Sequence, residues 1–467
     1  MTRFQSICQA IGRFMSLQNK NMPLSKISIE YFIRMSDSDA VWLFYHLFKN
    51  ELEHLKKASV TVESTTKPPS GKLGINNNKT PSNVLYGEDY PEVNRTLVSL
   101  LAIKWVLNDD YALFTETQKA NKLSKQSFDE LRDFYKRLVN KKGDLHALLV
   151  AMAIDDIGKD PNLSKELEKH LGGVQVNAKD HSDLVYQAAN SEEAAKAKLI
   201  PSLEMVPLSS RDDILGCLHI GSKLNISQAV QGECPPASLQ ILSTELGKGN
   251  AINLRAMLTF LDVAGAAGHV DSRSCIVMTE PVFQAYMSAL KAFEEFSNGS
   301  IVSPRACYDH IIETRAEGLR KLGFEFPSSA NEARALSRLL CMGRVTTIEQ
   351  ANQFKQALDQ LAPEAKKNLV NGLNVDGIDD GVAILPYYAP GLLADATKDT
   401  DKLDAVVIPI LSAFFRFLAR VFNGSEPTPG AEGGIIERDL SFVQEKIKSK
   451  EFRYQPEILD GVGFPWE

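Results

Sequence analysis

Along most of this chain apolar residues recur three and four positions apart. The stretches VNRTLVSLLAIKWVL, KQSFDELRDFYKRLV, DLHALLVAMAI, SDLVYQAA, DILGCLHIGSKLNISQAVQ, NLRAMLTFLDVAGAAG and EPVFQAYMSALKAFEEF all follow this spacing, which predicts amphipathic or buried helices. The same pattern runs through residues 27–57 and returns after residue 304 in YDHIIETRAEGLRKLGF, NEARALSRLLCMGR and TIEQANQFKQALDQLA. Strand-like alternation is scarce, so the pattern predicts an all-α fold.

Interruptions divide the chain. Residues 1–57 read as N-terminal helices, and 58–86, rich in Lys, Ser, Thr, Pro and Asn without periodicity, as a flexible loop. Residues 87–296 form the expected helical core, SNGSIVSP at 297–304 a break, and 305–467 a C-terminal helical region packed on that core. FNGSEPTPGAEGG (422–434) is a second polar interruption, and no repeat of fixed period points to a solenoid.

Composition narrows the class. With 467 residues, 44% hydrophobic and 24% charged, the chain resembles a globular protein of several subdomains. A net charge of −7 disfavours a dedicated nucleic-acid binder. The six cysteines are scattered without a CxxC pair, as expected of reduced structural thiols in a cytoplasmic protein. AVVIPILSAFFRFLARVF contains Pro409, Arg416 and Arg420, which predicts a buried helix and no membrane span. Residues 1–29 carry Arg3, Arg13, Lys20 and Lys26 and no acid, as mitochondrial presequences do, but Phe4, Ile7, Ile11 and Phe14 equally fit an ordinary amphipathic helix.

Candidate chemistry centres on AIDDIGK (153–159), where an apolar helix is expected to end in Asp155 and Asp156. Two adjacent acids at a helix C-terminus meet the negative end of the helix dipole and each other, at a cost of about 0.3–1 kcal/mol each. A cation relieves both penalties. Lys159 supplies it on a structural reading, a divalent metal on a functional one.

The packed helix closing on x-D-x-G-K resembles the HD superfamily, whose members carry a His-Asp pair followed by Ile-Gly-Lys. Asp156 matches the pair's Asp, Gly158 and Lys159 the residues after it, and Asp155 stands where the His is expected. The family is all-helical and mostly made of metal-dependent phosphohydrolases, with an oxygenase branch using two irons. The resemblance therefore implies a small, phosphorylated substrate and a divalent cation (Mg, Mn or Fe) held by Asp155, Asp156, His181, His219, His269 and Asp271, with Asp156 and Lys159 in catalytic roles. The family's first histidine has no counterpart; Asn94, Arg95 and His146 are the nearest residues in order. Exchanging imidazole for carboxylate favours harder ions such as Mg or Mn, or removes metal binding. Three outcomes stay open: a phosphoester hydrolase, a degenerate domain binding a small ligand or protein partner, and a di-iron oxygenase.

Further polar residues extend the candidate site to substrate. Asn225, Gln228 and Gln231 recur every three residues on a predicted helix with His219 and Lys223, lining a pocket or satisfying one another. Arg255, Asp262 and His269 are seven apart, on nearly one face if their helix continues, and Gly265 and Gly268 permit close approach of a helix or ligand. DGIDDG (376–381) lacks the acid alternation of a calcium loop and reads as a solvated turn. Arg334, Arg338 and Arg344 suggest a half-solvated helix, or a phosphate cradle.

Overall fold

A computed structural model describes residues 22–61, 79–244, 250–398 and 403–466. The expectations for Arg3, Phe4, Ile7, Ile11, Arg13, Phe14 and Lys20, and those for residues 62–78, fall outside this set. The described residues are mainly helical, and the chain divides into two compact units, Met1–Lys223 with Gly247–Gln284, and Leu224–Leu246 with Ala285–Glu467. That division cuts across the expected core at 87–296: a segment from its middle belongs with the C-terminal helices.

The first unit is built around helices that are apolar on nearly every face. Its main elements are α1 (Lys49–Thr61), α2 (Pro91–Leu107), α3 (Lys142–Ile154), α4 (His181–Asn190), α5 (Leu208–Lys223) and α6 (Ala251–Gly265). α2 begins at Pro91, whose fixed φ and missing N–H suit a first helical turn, and it is buried without interruption from Thr96 to Leu107. α3 is buried from Leu145 to Ile154, and α6 from Ala256 to Leu261. Such all-round apolar helices require neighbours on every side, and α2, α3, α5 and α6 supply them to one another. Both ends of the stretch expected as a loop at 58–86 are helical: α1 runs to Thr61, and Pro81–Tyr86 is a helical turn capped by the Thr80 side chain and closed by Gly87 at φ 80°.

The second unit has its core among α7 (Ala330–Met342), the helices Ile348–Asp359, Pro363–Asn374 and Ala389–Thr397, and α8 (Asp404–Val421). Two parallel strands, β1 (Asp380–Tyr387) and β2 (Ala431–Asp439), pair alongside, with α8 in their crossover. Parallel strands need such a long connection. β1 and β2 both lie within 305–467, which the sequence pattern assigned to helix. α8 is the apolar C-terminal stretch, and its arginines are absorbed internally: Arg416 pairs with Asp460 at 2.9 Å, and Arg420 donates to the carbonyls of Leu459 and Asp460. No helix of the described residues is long and apolar enough to cross a membrane.

Three sequence expectations change here. Helix α5 stops at Lys223, and Asn225 caps a new short helix, Ile226–Val230, by accepting from the N–H groups of Ser227 and Gln228. The amide stripe of Asn225, Gln228 and Gln231 therefore does not lie on one helix with His219; Gln231 accepts from Arg344 instead. DGIDDG is solvated only in part: Asp379 is exposed, but Asp376 is buried between Arg305 at 2.6 Å and Arg334 at 3.0 Å. Arg338 is fully buried, so α7 offers no phosphate cradle through it.

Candidate functional site

The apolar run of α3 ends as the sequence predicts, with Asp155 at its C-cap and Asp156 next, followed by a tight turn over Ile157–Lys159. Gly158 is required there for space. A Cβ on it would collide with the His181 carbonyl oxygen and the Val185 side chain, so glycine lets this turn lie against the start of α4.

Each aspartate has an internal cation. Asp155 Oδ1 accepts from Arg255 Nη1 at 2.8 Å, both side chains being nearly buried. Gly221 of α5 clears room for that guanidinium, which a Cβ would strike. The Cys217 thiol nearby is pushed up to about 12 by burial, with Arg255 opposing. Asp156 Oδ2 lies 2.9 Å from Lys159 Nζ, which also lies 2.9 Å from Glu92 Oε2 on α2. Glu92 Oε1 accepts from Arg95 Nη1 at 3.0 Å, and Arg95 Nη2 lies 3.9 Å from Asp262 Oδ1 on α6. His181 Nε2, at the start of α4, is 3.7 Å from Asp156 Oδ1. The result is a chain of alternating charges drawn from α2, the turn after α3, α4 and α6.

Gly265 and Gly268 let α2 and α6 come together. A Cβ on Gly265 would overlap Ser99 Oγ and the Arg95 carbonyl, and one on Gly268 the Asn94 carbonyl. These glycines thus admit a helix, and that contact brings Arg95 beside Asp262.

Exposure orders the network. Glu92 and Asp156 keep only 14% and 12% of their side-chain surface open, whereas Lys159, Arg95, His181 and Asp262 keep 24%, 26%, 42% and 41%. Burial alone would raise the Asp156 carboxyl, but Lys159, Arg95 and His181 outweigh it and hold it below the ordinary range. Burial, reinforced by Asp156, pushes Asp262 up to about 6 against the pull of Arg95 and Lys159. Asp262, two-fifths open to water yet crowded enough to be desolvated, lies in a recess of the first unit.

The remaining predicted residues are used differently. His219 stacks on Tyr186 with ring centroids 4.8 Å apart, and Lys223 is exposed at the end of α5. His269 lies beyond the end of α6, its Nδ1 buried without a hydrogen-bond partner and its pKa lowered by burial and Arg95. Asp271 is committed to Arg273 at 3.0 Å. Of the substitutes for the missing first histidine, Asn94 accepts from the Ser82 N–H, His146 is paired with the Ile27 carbonyl, and Arg95 alone joins the network. Glu92 was missed, although its i, i+3 spacing to Arg95 is the signal of a helical ion pair.

These donors do not fit a divalent ion between the aspartates. Lys159, three-quarters buried, already bridges Asp156 and Glu92, and the nearly buried Arg255 is paired with Asp155. Among the described residues, Asp155, Asp156, His181, His219, His269 and Asp271 do not gather into a set of ligand atoms close enough for one ion.

A family model described as a family of unknown function, DUF6829, matches residues 41–459. The chain belongs to DUF6829. The matched span contains the whole network from Glu92 to Asp262, so the recess is part of the DUF6829 domain itself. No curated protein and no solved structure matches.

Proposed function

We propose that this DUF6829 chain is a divergent HD-like helical protein that binds a small anionic ligand, such as a phosphorylated metabolite, without a divalent metal. The observation that carries this reading is the internal pairing of both motif aspartates, Asp155 with Arg255 and Asp156 with Lys159. Glu92 and Asp156 are the more buried acids of the network, while Arg95 and Lys159 keep about a quarter of their side chains open, beside the more exposed His181 and Asp262. An anion entering the recess meets charge-assisted donors already oriented by Glu92 and Asp156, which lowers the ordering cost of binding. Asp262 in the recess, carrying a proton below about pH 6, offers a hydroxyl donor to the same ligand and above that an acceptor.

The test is thermal stabilisation of the full chain by inorganic phosphate and a panel of phosphomonoesters, with EDTA present throughout. Stabilisation that persists in EDTA and disappears in Lys159→Ala supports metal-free anion binding. Stabilisation that appears only with added Mg2+ or Mn2+ and vanishes in Asp156→Asn replaces it with the metal-dependent hydrolase, and hydrolysis of the same panel is then the next assay.

A further inference from the structure

A second group of ligating side chains lies in the first unit, on residues the recess does not use. His54 of α1, Asp160 just after the Ile157–Lys159 turn, and Glu166 of the helix Leu163–His170 bring one ligand atom each to within 4.8 Å of one another. His54 Nδ1 and Asp160 Oδ2 are 2.7 Å apart, and their side chains are 8% and 0% exposed. Glu166 stands at the mouth, 39% exposed.

The Asp160 carboxylate is held as a metal-ligating carboxylate is held. Its Oδ1 accepts from the Asn162 N–H at 2.9 Å and from Asn162 Nδ2 at 3.2 Å, which fixes the group and leaves Oδ2 directed at the cluster. Hydrogen bonds of this kind to the second oxygen orient ligands in metal centres. The positive charge is now supplied by Lys57, whose Nζ lies 3.6 Å from Asp160 Oδ2 and 3.5 Å from Glu166 Oε1. Lys57 is 45% exposed on a long flexible stem, so its ammonium can turn to water at little cost.

We infer that His54, Asp160 and Glu166 form a site for a divalent transition ion, with Lys57 as the ammonium that the ion displaces. One imidazole and two carboxylates suit Zn2+ or a neighbouring first-row ion, with water completing the coordination. On binding, the ion replaces the His54–Asp160 hydrogen bond, the proton between them leaving and the nitrogen and oxygen parting from 2.7 Å to admit it, and Glu166 closes over it. Because Asp160 directly follows Lys159, an ion here steadies the turn that holds the recess.

The experiment is calorimetric titration of Zn2+ into the EDTA-stripped full chain, repeated with Co2+ to read the ligand field by visible absorption. The expected result is one saturable site per chain, weakened at least about tenfold in Glu166→Gln and tightened in Lys57→Ala, with Asp156→Asn unchanged. Glu166→Gln and Lys57→Ala alter half-exposed side chains, so neither depends on the buried His54 for a folded protein. Absence of a saturable site, wild-type affinity in either of those two variants, or loss of the site in Asp156→Asn overturns the assignment. The last outcome moves the ion to the recess; the anion titrations, run in EDTA, are unaffected by the others.

Discussion

Both units pair arginines with buried acids, but Arg338 of the second unit is satisfied in a different way from the cations of the first. In the second unit Arg338 is fully buried and spends its donors on main-chain carbonyls: Gly232, Leu373, Glu233 and Cys234, at 2.6 to 3.3 Å. In the first unit Arg255, Arg95 and Lys159 are paired with carboxylates, and the last two keep a quarter of their side chains in water. A cation satisfied by the backbone at zero exposure clamps segments together. Cations held by carboxylates at the edge of a recess remain available to a ligand. The residue types are alike; the partner and the opening separate scaffold from site.

The sharpest break of that comparison is Arg338→Ala. It strands several buried carbonyls and leaves a cavity the size of a guanidinium, and each stranded buried acceptor costs about 1–3 kcal/mol. The expected outcome is loss of about 4 kcal/mol or more, seen as a large fall in the urea midpoint or as insoluble protein. A midpoint within experimental scatter of wild type would show that the clamp is not structural, and the contrast between the units would fail.

Next in size is Arg255→Ala, which leaves Asp155 buried without its counter-ion at a cost of about 3–5 kcal/mol. The double variant Asp155→Asn with Arg255→Met removes both charges and is expected to recover much of that loss, because the pair's net worth is smaller than the penalty for breaking it. Urea unfolding of Asp155→Asn, Arg255→Met and the double variant gives the coupling directly. Equal losses in Arg255→Ala and in the double variant would mean that packing against Gly221, and not the ion pair, is what Arg255 contributes.

The helical class and the end of α3 at Asp155 and Asp156 were legible in the sequence, because each follows from local spacing; whether lysine or a metal meets those acids was left open there. The partners were less so. Lys159 was named because it lies one turn from Asp156, whereas Arg255 reaches Asp155 from a hundred residues away and was read as a substrate contact. The amide stripe at Asn225, Gln228 and Gln231 failed because periodicity cannot see that Asn225 caps a new helix. DGIDDG failed for a related reason: its acids look solvated until Arg305 and Arg334 arrive from distant helices. Glu92 was visible as half of an i, i+3 pair with Arg95, but nothing local said that the pair faces Lys159 and Asp262.

The smallest effect discriminates most finely, and it is a difference of sign. Asp262 has its folded pKa raised to about 6, above the ordinary value of roughly 3.9. Between those values the folded chain holds more proton than the unfolded one, so this group's contribution to stability falls as pH rises through that window. Asp156 is shifted the other way by Lys159, Arg95 and His181, so its contribution is present above the ordinary aspartate value and is lost as pH falls below it. Urea midpoints of wild type, Asp262→Asn and Asp156→Asn, taken from well below the ordinary aspartate pKa to neutrality, separate the two. Relative to wild type, Asp262→Asn is expected to gain stability as pH rises from roughly 3.9 to about 6, by a small amount because water reaches that side chain. Asp156→Asn is expected to trail wild type at neutral pH and to close the gap only as pH falls below roughly 3.9. Parallel pH profiles for the two variants would mean that the carboxylates share one environment, and the contrast between the buried Asp156 and the open Asp262 would not hold.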